Sequence, residues 1–247
     1  MKNIKYIILA VFLAACSGED DPFDGVDLVV TLADVIAQDE VEIDNVIACA
    51  SGSENPNEIV AYLYPRPGAT DLRYFETLDA TVDKNDFTGY TQIDLATEDI
   101  FNGFLKKFVR QTAEEKWVII SFRESGVLHI SNPIRLKHQT QNTLFGQEVA
   151  INQNETGEPI FNWGPIVSNN DAIYFQVVSD AQSELISGTY TFDSQFQFYN
   201  LDNVVLNITD GTPSDLVLDD LYAFTLMAVS EDNWVNYLAL EIPFVAQ

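Results

Sequence analysis

The chain has 247 residues, 38 acidic against 12 basic, for a formal charge of −26. A field of that sign repels nucleic acid and anionic lipid head groups, so nucleic-acid binding is excluded. Apolar residues at 47% and aromatics at 12% are still enough for packed cores, so the acidity does not imply disorder.

In chain order, the first feature is an address. Lys2 and Lys5 form a basic n-region, and Ile7 to Ala15 form an apolar run. The run is shorter than the roughly 20 residues of a membrane-spanning helix and has the size of a secretory signal. It ends in Leu13-Ala14-Ala15-Cys16. Small residues before a cysteine resemble the lipobox of bacterial lipoproteins. The resemblance implies removal of residues 1–15, lipid on Cys16 and anchoring to a membrane without any protein span. Residues 16–24 then read as an acidic tether, with Glu19, Asp20, Asp21 and Asp24. That acidic run resembles the surface-export signal of Bacteroidota lipoproteins, although a solvated linker with no address fits it too. The implied location is the outer membrane, lipid-anchored, at the cell surface.

The rest of the chain reads as short strands between polar turns, at Ser51-Gly52-Ser53, Pro65 to Gly68, Asp83 to Asp86, Ser125-Gly126 and Asp210 to Pro213. No long segment has helical period, so the expected class is all-β, two immunoglobulin-like sandwiches in tandem. The first is expected over residues 25–138 and the second over 143–247, with a polar link at 138–142. Lys116 to Glu124 and Val127 to Lys137 read as a hairpin. In its second arm Leu128, Ile130, Ile134 and Leu136 share a face, and Pro133 marks an edge strand or a bulge. Tyr190, Phe192, Phe196 and Phe198 also share a parity, unless a turn near Asp193-Ser194 splits the stretch. No internal sequence repeat is visible, so kinship between the sandwiches is at the level of fold.

Two stretches of the second half carry a family resemblance. Glu158-Pro159-Ile160-Phe161-Asn162-Trp163 resembles strand B of a fibronectin type III domain, with its buried tryptophan. Leu216 to Val229 resembles the E–F corner and strand F of that family, with Tyr222 matching the corner tyrosine and Leu216 or Leu218 the preceding leucine. The resemblance covers residues 156–245 and implies a sandwich used for adhesion, spacing or binding, with no shared catalytic residues.

The search for chemistry finds little. His129 and His138 read as surface histidines, and no nucleophile, zinc, phosphate-loop or dinucleotide motif occurs. Cys49, in a strand-like apolar run, reads as a small buried hydrophobe. Paired carboxylates are in surplus by composition alone, and Asp83 to Asp86 lacks the pattern of a calcium loop. No metal, cofactor or catalytic residue is expected. The remaining leads are aromatic. Tyr62, Tyr64, Tyr74 and Trp234 are the candidate ligand contacts, the first three clustering with Arg66 and Phe75 around Pro65 and Pro67. Exposed rings there would stack on a sugar or a partner protein, whereas core packing would bury them. The expected function is a membrane-anchored, non-enzymatic binding, adhesion or assembly module with an unknown protein or glycan partner. The alternative is a glycan-binding accessory of a polysaccharide uptake system, and a carboxylate-dependent hydrolase ranks third.

Overall fold

A computed structural model describes residues 29–164 and 171–247. The signal, Cys16 and the acidic tether lie outside the described residues. Helix α1 (Leu32–Ile36) opens the described chain. Thr31 caps it: its hydroxyl accepts from the Asp34 N–H at 3.2 Å while the Asp34 carboxylate accepts from the Thr31 N–H at 3.0 Å.

Strands β1 (Val41–Val46), β2 (Ala48–Gly52), β3 (Glu58–Leu63), β4 (Thr70–Glu76), β5 (Thr91–Ile93), β6 (Thr97–Ile100), β7 (Leu105–Gln111), β8 (Trp117–Glu124), β9 (Val127–Ser131) and β10 (Ile134–Arg135) follow. They form sheet I, in the order β1-β9-β8-β4-β5 with β10 on β8, and sheet II, in the order β2-β3-β7-β6. The remaining strands are β11 (Leu144–Phe145), β12 (Ala150–Asn152), β13 (Ile160–Asn162), β14 (Asp171–Asp180), β15 (Leu185–Thr191), β16 (Gln195–Gln197), β17 (Val204–Asn207), β18 (Leu221–Ser230) and β19 (Val235–Val245). They form sheet III, β11-β19-β18-β14-β15-β17, and sheet IV, β12-β13-β16. The chain is therefore all-β, two sandwiches in tandem.

Strand alternation stacks all four sheets. On β8, Val118, Ile120 and Phe122 point into the core between sheets I and II, while Ile119 points to the outer face, where Leu32 and Val35 of α1 cover it. On β3, Ile59, Ala61 and Leu63 enter that same core, and Tyr62 points the other way, toward sheet III. On β18, Met227 and Val229 face sheet II, while Phe224, Leu226 and Ala228 face sheet IV. The order of layers is helix, I, II, III, IV, with an apolar cluster in every gap. Sheets II and III thus spend both faces on burial.

A second device joins the halves. The β18–β19 turn inserts Trp234, fully buried, into the core of the first sandwich. The Ala50 N–H donates to the Asn233 carbonyl at 3.0 Å, and the Trp234 indole N–H donates to the Gln141 carbonyl at 2.8 Å. Residues 138–142 therefore serve as a partner for the inserted ring as well as a link.

Two expectations need correction, and an alternative left open at Asp193-Ser194 is the one that holds. In the Val127 to Lys137 arm, Ile130 pairs with Ser121 but Ile134 pairs with Val118, four residues against three. Pro133 thus sits in a bulge, the parity flips, and Leu128 and Ile130 face α1 while Ile134 and Leu136 enter the sandwich core. The aromatic stretch at 190–198 is split by its turn: Tyr190 belongs to the II–III gap, Phe196 and Phe198 to the III–IV core, and Phe192 is exposed. His129 is not a surface histidine. It is buried against Phe122, with Nδ1 3.2 Å from Asn45 Oδ1. The turn at Ser125-Gly126, by contrast, is as the sequence suggests, both residues having the positive φ of a two-residue hairpin loop.

The features behind the fibronectin III resemblance have their expected geometry. Trp163 is buried between sheets III and IV, edge-on to Tyr174. Tyr222 is buried at the start of β18, and its hydroxyl accepts from the Val217 N–H at 2.9 Å, closing the corner five residues upstream.

Candidate functional site

The four aromatic leads do not form one platform. Tyr74 points into the first sandwich, edge-on to Phe108, and is fully buried, as is Trp234. The sequence left exposure and core packing open for these rings, and both are packed: strand parity turns Tyr74 inward, and the first half covers the loop tip that carries Trp234. Phe75, one residue on, faces α1 instead. Tyr64 stacks on Phe104 with ring centroids 5.4 Å apart. Arg66 lies over the Phe122 ring, and its Nε donates to Glu124 at 2.8 Å, so it clamps the end of sheet I.

Tyr62 alone lines a sizeable groove. On β3 its ring leaves the first sandwich and meets β19 of the second half across a cleft of about 570 Å³, floored by Val60, Tyr62, Phe145, Leu238 and Leu240. Phe145 is 41% exposed and Leu240 50%. Both are large apolar side chains held open on strands. Lys107, its Nζ 3.1 Å from Glu98, adds one cation to the lining. Desolvation pushes the Tyr62 phenol up to about 12, although Ser51 offers a hydrogen-bond partner at 3.3 Å. The phenol therefore stays protonated and serves as a neutral polar handle.

One wall is the β2–β3 turn. The Ser53 hydroxyl and the Asn55 amide donate to Glu58 Oε1 at 2.6 and 3.0 Å, and these bonds hold the Glu58 carboxyl below its usual range. The opposite wall, Phe145 to Gln147, follows Thr143, whose hydroxyl accepts from the Gly52 N–H at 2.8 Å and donates to the Val235 carbonyl at 2.7 Å. One side chain thus staples the two halves at the groove. Gly146 is needed beside it, because a β-carbon there would lie 2.7 Å from the Tyr237 hydroxyl. The groove continues into a second recess of about 410 Å³ that includes His138. Both His138 ring nitrogens are shielded from solvent and lack a hydrogen-bond partner among the described residues. A buried polar group in that state costs free energy until something pairs with it.

The arrangement can bind. Its one histidine hydrogen-bonds to no hydroxyl or carboxylate among the described residues, so the groove shows no histidine-activated nucleophile there. Among the described residues no group of three metal-ligating side chains converges, and no helix is long and apolar enough to cross a membrane. Cys49 lies in the gap between sheets II and III, where desolvation pushes its thiol up to about 12, so it packs as an inert small side chain. Sequence reading missed Phe145, Leu240 and Thr143, and it took His138, whose ring nitrogens are shielded, for a surface histidine. The only signal was Leu144-Phe145, an apolar pair inside an otherwise polar stretch.

The fold and the groove define an immunoglobulin-like, β-sandwich class of protein. No family model matches the chain and no curated protein matches it. Among solved structures, the FN1–FN3 domains of chicken CNTN1 are similar at 8% identity over 85% of this chain and 68% of that one, with a TM-score of 0.30.

Proposed function

We propose that the protein is a lipid-anchored, non-catalytic binding or adhesion module whose binding site is the groove between its two sandwiches. The observation that carries this reading is the groove itself, with Phe145 and Leu240 exposed on rigid strands from one half facing Tyr62 and Val60 from the other. Exposed apolar side chains in a concave site mark a place where a partner is bound. The junction beneath is fixed by Trp234 and Thr143, so the site is preorganised and binding does not need to order it. The fold itself is one that supports adhesion and binding on many proteins.

The anchor belongs to the same proposal. Lipid on Cys16 would hold the protein at the outer membrane, and the tether would present it at the cell surface. Surface protease treatment of intact cells, comparing wild type with Cys16→Ala, tests this. Wild type is expected in the membrane fraction and shaved from cells, with the variant released. Membrane association that survives the substitution would remove the anchor from the proposal. In-cell photo-crosslinking from position 145 or 240 tests the groove. A specific adduct lost on Tyr62→Ser is expected, and no adduct would count against the site. A hydrolytic activity lost on changing one acidic pair would overturn the non-catalytic reading.

A further inference from the structure

The outward face of sheet IV is rich in uncharged polar side chains. Ala150 pairs with Asn162 and Asn162 with Gln195, while Asn152 pairs with Ile160 and Ile160 with Gln197. The residues between them, Ile151, Phe161 and Phe196, face the core. Alternation therefore places two rows on the outer side, Ala150-Asn162-Gln195 and Asn152-Ile160-Gln197. Four of these six positions are carboxamides and none is charged, in a chain with 38 acidic residues. The side chains of Asn162 and Gln195 have no protein hydrogen bond among the described residues. Glu155 and Glu158 border the face at one corner, accepting from Gln197 Nε2 at 2.9 and 3.5 Å.

Two exposed rings bracket β16 in the chain. Phe192, just before β16, is 65% exposed, and Tyr199, just after it, is 41% exposed. Phe196 and Phe198 between them are buried. Tyr199 also has φ +74, a conformation that a bulky side chain adopts only at a cost. The face lies at the opposite end of the stack from where the described chain enters. There the Val30 carbonyl accepts from the Gln92 N–H, and α1 covers sheet I.

We propose that the outer face of β12, β13 and β16, with Phe192 and Tyr199, binds an uncharged oligosaccharide. A carboxamide carries both donors and an acceptor, which suits sugar hydroxyls that need both. Three strands spaced about 4.8 Å apart give a flat grid about 10 Å across, the scale of one or two sugar rings. Aromatic rings at its edge can cover the apolar face of a sugar. Without a cation on the grid, and with a net charge of −26 behind it, anionic glycans are repelled. The face also lacks the central cluster of large apolar side chains that a protein interface uses. The proposal rests on the reading of the protein as a binding module and adds a ligand class at a surface separate from the groove.

The test uses the full-length protein in detergent, titrated calorimetrically with cellohexaose, maltohexaose, mannohexaose, xylohexaose and, as the anionic control, hexagalacturonate. Binding of at least one uncharged hexasaccharide is expected. Affinity should fall at least tenfold in Asn162→Ala/Gln195→Ala and in Phe192→Ala, with unchanged thermal midpoints, and stay unchanged in Phe145→Ser. No binding of any uncharged sugar, binding of hexagalacturonate alone, or binding indifferent to the sheet IV variants would each overturn the proposal. If the face fails while crosslinking at position 145 still captures a partner, the binding-module reading stands without it. If both fail, that reading falls as well.

Discussion

The two halves repeat one topology with different sequences. In the first, β1 runs parallel to β9 before the chain crosses to pair β2 with β3, and in the second, β11 runs parallel to β19 before β12 pairs with β13. Strands β9-β8-β4-β5 match β19-β18-β14-β15, and β2-β3-β7 match β12-β13-β16. Apart from β10, which continues the pairing along β8 after the Pro133 bulge, the difference lies in one extra strand in each half. The first half adds β6 beside β7, enlarging sheet II, whereas the second adds β17 beside β15, enlarging sheet III. The two enlarged sheets are the ones that pack against each other. Sheet IV stays at three strands and keeps a polar outer face. One arrangement of strands thus gives a buried middle or a free surface according to where its extra strand is added.

The largest expected effect tests whether the halves are truly joined. Trp234→Ala should cost about 3–5 kcal/mol, as for other buried aromatic truncations. Although the residue belongs to the second half, amide exchange should rise in β2, β3 and β10 of the first. A loss confined to sheets III and IV would break the comparison.

Next comes an ion cluster inside the first half. Glu76 is buried and accepts from Arg110 at 2.8 and 3.0 Å and from Lys116 at 2.6 Å. Burial alone would raise its carboxyl, but these partners outweigh it and hold it below its usual range. Glu76→Gln should cost about 3 kcal/mol at neutral pH, since it leaves two cations without their carboxylate. Because the folded-state value is the lower one, the stabilisation is present above the ordinary carboxylate range and is lost as pH falls through the folded value. Urea titrations of both proteins should therefore converge in acid.

Tyr222→Phe removes only the corner hydrogen bond to Val217, and a loss of about 1 kcal/mol in the thermal midpoint analysis is expected. Phe145→Ser should cost at most about 1 kcal/mol, because the ring is 41% exposed and so only partly buried, while abolishing capture of a groove partner. Equal stability with undiminished capture would remove the groove from the account.

Much of the fold was legible because local rules act within a strand or a turn. The all-β class and the Ser125-Gly126 hairpin follow from periodicity and turn chemistry, while Trp163 and the Tyr222 corner were read from the resemblance of their stretches to fibronectin type III strands. What was not legible depends on contacts across sequence distance. Trp234 sits on a loop tip, where local pattern allows exposure, and only a partner strand almost two hundred residues away buries it. Tyr62, Tyr64 and Tyr74 lie close in sequence, but their strands and parities send them to different gaps in the stack. The groove was hidden for the same reason, since Val60 and Tyr62 come from one half and Phe145 and Leu240 from the other. Pro133 shows an intermediate case: its disruptive role was readable, but the reversal of facing that follows from one extra residue needed the register.

Trp234 and the apolar cluster between sheets II and III should make the two sandwiches unfold as one cooperative unit, against the default of loosely coupled domains. Hydrogen exchange read by mass spectrometry across a urea titration tests it directly. Peptides from β3, β8, β14 and β18 are expected to lose protection with a single shared midpoint. Protection that survives in β3 and β8 after β14 and β18 have unfolded, or the reverse, would contradict it.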